Sequence, residues 1–284
     1  MDTFNHTIEL VGNAGILVFV VASMLALGLS LTVRQIVDPL RSPRILAALL
    51  IGNFLLVPAL AFLLLRVIPL EPGFDIGITL LAMAAGAPFL PKLVELAKGA
   101  IALSVGAMIL LMVVTIVYLP LVLPLLLPGV AVNPLEVAVP LVLFMLTPLA
   151  VGLFTAARFP SVAQRGQPVF SKLSNLGLIV GFVALVIVNA NILLDAIGNG
   201  AMLAAALLIV GAFLIGWLLA GANRDLRTVL GLATAQRNLS AALLMAGSNF
   251  SDPNVLVMVM VGAVLMLGGL LTTAKVIGSR THGI

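Results

Sequence analysis

The sequence predicts an all-α polytopic membrane protein of about nine transmembrane helices, and three observations carry that prediction. The chain is 62% hydrophobic and 8% charged over 284 residues, with a mean hydropathy of +1.30, whereas ordinary soluble domains carry roughly a quarter charged residues. Apolar runs of about 20 residues, enough to cross a hydrocarbon core roughly 30 Å thick, follow one another with only short polar interruptions. The cations gather in alternate interruptions, the asymmetry that orients helices in a bilayer. No length remains for a soluble domain, so residues 1–284 read as one transmembrane domain.

The expected helices run near 12–33, 45–69, 76–98, 100–127, 134–157, 170–194, 199–222, 226–249 and 253–277. The start, MDTFNHTIEL, holds Asp2 and Glu9 but no lysine or arginine before the first apolar run. A secretory signal wants a positive start, so the first helix is expected to be retained. With the N-terminus outside, the inner loops hold Arg34, Arg41, Arg44, Lys98, Arg158, Arg165, Lys172, Arg224, Arg227, Lys275 and Arg280, eleven of the fourteen cations. The outer side holds Arg66 alone among the cations, with Asp2, Glu9, Glu71, Asp75, Glu136, Asp195 and Asp252. Pro120, Pro124, Pro140 and Pro148 read as kinks, and Asn189 and Asn191 as packing or capping groups near the outer end of the sixth span.

Composition also excludes several functions. There is no cysteine, hence no disulfide, thiolate metal site or thiol nucleophile. Both histidines, His6 and His282, lie in the tails, which leaves none for a metal or proton relay inside the membrane. The pI near 10.1 would suggest nucleic acid in a soluble protein, but here the basic residues serve topology, and no nucleic-acid partner is expected.

Two cations belong to no loop: Lys92 in the third span and Arg237 in the eighth. A mid-membrane charge costs about 2.5 to 3.5 kcal/mol even on lenient insertion scales, so its default reading is functional. The two spans are five apart and therefore run in opposite directions. Spans one to four (about 12–127) and six to nine (about 170–277) can form an inverted-topology pair, with span five (about 134–157) as connector.

The third span reads GAPFLPKLVELAKG from 86 to 99 and places Gly86, Pro88 and Pro91 within six residues. Proline removes backbone donors and glycine loosens the chain, so the helix is expected to break there. The half-helix after Pro91 then points its positive dipole end, with Lys92, at the break, an arrangement that favours an anion. In the eighth span, LATAQRNLSAALL packs Gln236, Arg237, Asn238 and Ser240 into five positions, too polar a cluster to face lipid. Arg237 offers a planar fork suited to carboxylate, sulfonate or phosphate, and with Lys92 it makes an electropositive midplane. Plainer readings stand beside these. Lys92 can pair with Glu95 one turn along or snorkel to the surface, and Arg237 can cap carbonyls exposed by the third-span break.

The runs LALGLSLT (25–32), NFLLVPALAF (53–62), LAKGAIALSV (96–105) and TAQRNLSAALLMAGSNF (234–250) resemble, in order and spacing, the bile acid:sodium symporter family. The resemblance covers nearly the whole chain. It implies a panel domain and a core domain, two broken helices crossing in the core (here spans three and eight), and alternating access by motion of one domain against the other. It implies substrates that are organic anions: bile acids, sulfated steroids, or small carboxylates such as 2-oxo acids and pantothenate. A bacterial member in the inner (plasma) membrane fits, with the N-terminus outside and the C-terminus cytoplasmic.

Carried over by position, the resemblance places Gln236 on the crossover glutamine, Ser104 on a serine near a sodium ion, and Asn53 where a sodium-binding glutamine stands. Elsewhere this chain departs. Leu232 stands where the sodium-binding glutamate would be, Leu90 and Pro91 replace a Ser-Asn pair, Met108 replaces a threonine, and Arg237 replaces the asparagine after the glutamine. Fixed cations near such sites repel sodium through a low-dielectric medium. Lys92 and Arg237 are thus expected to take over its charge role, with transport driven by protons through Lys92 and Glu95 or by the substrate gradient alone.

The expected function is secondary transport of a small organic anion, with no cofactor and with sodium possible but disfavoured. The candidate substrate or crossover residues are Pro88, Phe89, Pro91, Lys92, Glu95, Gln236, Arg237 and Asn238. Asn53, Ser104 and Ser240 are a possible residual ion or polar site, and no metal ligand set is expected. Competing readings are an ordinary sodium-dependent symporter and a non-transporting anion receptor. A metalloid exporter would need a membrane cysteine, and an intramembrane hydrolase would need a nucleophile with a base; neither is present. The oligomeric state is not encoded legibly.

Overall fold

A computed structural model describes residues 2–32, 42–126, 134–192, 196 and 199–279. Arg34, Arg41, Asp195, Arg280 and His282, and the side chains of Asp2 and Glu136, lie outside the described residues. All regular structure within them is helical: α1 (Asp2–Ser30), α2 (Pro43–Val67), α3 (Pro72–Met83), α4 (Leu90–Leu96), α5 (Ile101–Leu126), α6 (134–158), α7 (Pro160–Val188), α8 (Ala201–Leu219), α9 (Arg224–Ala235), α10 (Leu239–Asn249) and α11 (Pro253–Ser279). Seven of these, α1, α2, α5, α6, α7, α8 and α11, are long and apolar enough to cross a membrane. The third and eighth expected spans are instead pairs of shorter helices, α3 with α4 and α9 with α10.

Two starts differ from the hydropathy reading. Helix α1 begins at Asp2 rather than near 12, and α7 at Pro160 rather than near 170. The polar residues at each start lower the local hydropathy without stopping the backbone helix, and Pro160 at the beginning of α7 brings a dihedral already suited to it. Helices α2 and α6 each loosen into one π turn, Gly52–Leu56 and Val142–Leu146, just ahead of Pro58 and Pro148. A proline cannot donate to the carbonyl four residues back. In α2 that carbonyl belongs to Phe54, and the Tyr118 hydroxyl donates to it at 2.8 Å.

The helices pack in two sets. In one, α1 lies along α6 and α7. Contact there is backbone to backbone: a Cβ on Gly15 would stand 2.6 Å from the Gly181 nitrogen, so only small residues permit the approach. In the other set, α2–α5 pack with α8–α11, and the two sets meet where α1 and α6 touch α10 and where α6 touches α5. Large side chains such as Leu55, Phe62, Leu121, Phe154, Ile179 and Val210 point outward all round the bundle. In water that would be an unstable surface; against acyl chains it is the expected one.

Candidate functional site

The first break, residues 84–89, lies between the C-terminal end of α3 and the start of α4. Gly86 adopts φ +79° there, with its α-carbon so close to α5 that a Cβ would collide with the Met112 nitrogen and the Met108 carbonyl. Both demands, the left-handed backbone and the missing side chain, require glycine. Pro91 lies in the first turn of α4, where its absent N–H has no helical partner to lose.

The carbonyls freed by this break are satisfied by side chains. The Thr115 hydroxyl donates to the Ala85 carbonyl at 3.0 Å and accepts from the Ala85 N–H at 3.0 Å. The Asn238 backbone N–H donates to the Ala84 carbonyl at 2.8 Å, and its side-chain amide donates to that of Gly86 at 3.0 Å. Asn238 also caps α10, its Oδ1 accepting from the Ala241 N–H at 3.1 Å. One residue thus starts the second half-helix and straps it to the first break.

Arg237 completes the crossover. Its side chain is 1% exposed. The guanidinium donates to the carbonyls of Leu81 (2.9 Å), Ala82 (2.7 Å) and Thr234 (2.8 Å) and to Asn53 Oδ1 (2.8 Å). Asn53 is oriented in turn by donating to the Leu49 carbonyl at 3.0 Å and to Thr234 Oγ1 at 3.4 Å. Burying an arginine costs several kcal/mol unless its donors are met, and here four oxygens meet them, three of them helix-end carbonyls at the negative pole of a dipole.

This corrects the expected electropositive pocket. Arg237 is turned into protein oxygens rather than towards a bound solute. Lys92 is not beside it: its side chain is 57% exposed and its Nζ pairs with Glu95 Oε2 at 2.8 Å, Glu95 being 54% exposed. Helix α4 has only seven residues, and its buried face is Leu90, Leu93 and Val94, which turns positions 92 and 95 outward. Ser104 is buried in the first turn of α5 and donates to the Ile101 carbonyl at 2.7 Å.

In front of the crossover lies a cavity of about 460 Å³ between the two helix sets. The break contributes Ala87, Pro88 and Phe89; the second break and α10 contribute Gln236, Leu239 and Ser240; α11 adds Met266 and Leu267. Helix α1 contributes Phe19, Ser23, Ala26, Leu27 and Ser30, and α7 contributes Gln167, Ser171, Ser174, Asn175 and Leu178. Among the described residues no charged side chain lines it. Gln236 Oε1 and Ser240 Oγ are buried and make no hydrogen bond within the protein. Buried polar atoms are almost always paired, and here two unpaired oxygens belong to neighbouring residues that line one cavity. The first turn of α10, capped by Asn238, brings the positive end of its dipole beside them.

Pro88, Phe89, Gln236 and Ser240, singled out from sequence, therefore share one cavity wall, while Asn53, Arg237 and Asn238 form the buried layer behind it. The opposite wall was missed. Its signal was present: Gln167, Ser171, Ser174 and Asn175, like Ser23 and Ser30, recur at helical spacing along otherwise apolar helices.

Residues 16–196, from the middle of α1 to the residues just before α8, match the sequence profile of the sodium bile acid symporter family. The chain belongs to the sodium bile acid symporter family. No curated protein matches it. Sodium bile acid symporter family members are transporters rather than enzymes, and this one is an integral membrane protein by its seven long apolar helices. The first break lies inside the matched region. The second lies beyond it, joined to the first by Arg237 and Asn238.

Proposed function

We propose that this protein is a secondary transporter that carries a small organic anion through the cavity in front of the crossover, by alternating access and without sodium. The observation that supports it most is that Gln236 and Ser240, each with a buried unpartnered oxygen, line a cavity between two helix sets. Such a cavity faces one side when the sets are apposed one way and the other side when they rock. The solute's charge is met by the start of α10 and by neutral donors, and its apolar part by Phe19, Leu27 and Phe89. A cavity of this size suits a small molecule.

Sodium independence rests on Arg237. The four oxygens around its guanidinium are the hard ligands an alkali cation would take, and a tethered positive charge already holds them. In this reading the N-terminus lies outside and the C-terminus in the cytoplasm of a bacterial inner membrane, and α3/α4 and α9/α10 are the equivalent halves of an inverted repeat. Uptake of radiolabelled organic anions, including bile acids, 2-oxo acids and pantothenate, into proteoliposomes tests it. Saturable uptake of at least one, with about tenfold weaker affinity in Gln236→Ala, is expected; no uptake of any across the panel contradicts it.

A further inference from the structure

A second cavity, of about 220 Å³, opens at the opposite end of the bundle, between α2 and α3. Arg66 and Asp75 stand at its mouth with Phe62 and Thr79, and Ala82 and Met83 form its floor. Asp75 Oδ1 is buried there and accepts no hydrogen bond. Arg66 shares the cavity without pairing to it; its guanidinium lies instead over the Phe62 ring, 4.5 Å from the centroid. The Thr79 hydroxyl is committed to the Asp75 backbone carbonyl at 2.9 Å. On the floor, the carbonyl of Ala82 receives Arg237 Nη2. Asp75 thus lines the same cavity as Ala82, whose carbonyl is bound to the crossover arginine.

A carboxylate oxygen buried without a donor is unfavourable, and a proton removes that cost. Other cations fit poorly. Hard metal ions take about six or more oxygens, whereas among the described residues only Asp75 and Thr79 bring oxygen-bearing side chains to this cavity. The start of α3, where Asp75 lies, favours the carboxylate. Burial and helix end therefore oppose each other, and neither protonation state is locked.

Few other ionisable groups face Asp75. Helix α2 brings Arg66, its Arg44 lying at the far end; α5 brings Tyr118, whose hydroxyl donates to the Phe54 carbonyl. The segment before α11 brings Asp252, packed on Gly73, with Asn254 bonded to Glu71 at 3.2 Å, while Lys275 of α11 is at the other end. Helices α8 and α10 carry none, and Arg237 lies behind Ala82.

We propose that Asp75 is a proton-binding site, loaded from the side on which this cavity opens, and that the protein couples anion movement to it. The proton adds to one carboxylate oxygen and leaves from the same oxygen, and no other bond changes. One proton with one monoanion makes the cycle electroneutral. The coupling rests on the transporter reading above, whereas proton binding does not.

Two measurements separate them. Infrared titration of the purified protein is expected to show a protonated-carboxyl stretch that disappears as pH rises and is missing in Asp75→Asn; superimposable titrations of the two proteins overturn the site. In proteoliposomes, using the organic anion found to be taken up, an acid-outside gradient is expected to drive accumulation at least tenfold better in the parent protein than in Asp75→Asn, with counterflow exchange retained by both. Equal accumulation overturns the coupling. A titrating band with no anion exchange in the parent protein contradicts the transporter reading and, with it, the coupling, while leaving the proton site standing.

Discussion

Arg237 Nη2 donates to the carbonyl oxygen of Ala82 at 2.7 Å, and through that bond the second break is held against the C-terminal end of the first half-helix. A cation from one interrupted helix thus neutralises the negative pole of another.

Removing that cation leaves four oxygens short of a partner. Arg237→Ala is expected to cost several kcal/mol, at about 1 to 3 kcal/mol for each unsatisfied buried group, measured as thermal unfolding in detergent. Arg237→Lys keeps the charge but not the fork and should fall between the two. A stability equal to that of the parent protein in Arg237→Ala would show that the oxygens find other partners.

Lys92 should matter little. It is an exposed ion pair with Glu95, and such pairs contribute within about 1 kcal/mol. Lys92→Ala and Glu95→Gln are each expected to leave both the unfolding temperature and anion uptake close to the parent values; a large loss of uptake in Lys92→Ala would return the lysine to the site.

Gln236 and Ser240 should matter for ligand and not for fold. Neither orphan atom holds a hydrogen bond inside the protein, so Gln236→Ala and Ser240→Ala forfeit none when unliganded. Each is expected to weaken anion affinity about tenfold, the value of one hydrogen bond of roughly 1.4 kcal/mol, read from the ligand-induced shift in unfolding temperature. Unchanged affinity in both would move the solute elsewhere.

Gly86 tests the geometry of the break. Gly86→Ala meets a positive φ and a collision with the α5 backbone together. It should cost more than the 1 to 2 kcal/mol or so of the left-handed conformation alone, seen as poor yield or early unfolding, whereas Gly268→Ala on an open face of α11 should be tolerated.

How far the sequence disclosed this architecture depended on the kind of signal. The first break was legible because Gly86, Pro88 and Pro91 are local instructions, written in backbone chemistry. The second has no glycine or proline. Its ends are set by Asn238 and Arg237 reaching carbonyls more than 150 residues away, and only the resemblance pointed to it. Lys92 was misplaced for a related reason: position along a span gives depth, but the direction a side chain faces on a seven-residue helix depends on what the other face buries. The polar faces of α1 and α7 were readable by period and were hidden only by the overall oiliness of those helices.

The central claim, that the buried guanidinium of Arg237 stands where a coupling cation would, is tested most directly by initial rates of anion uptake into proteoliposomes with an inward sodium gradient and with sodium replaced by choline. The account predicts equal rates. Uptake that requires sodium would contradict it.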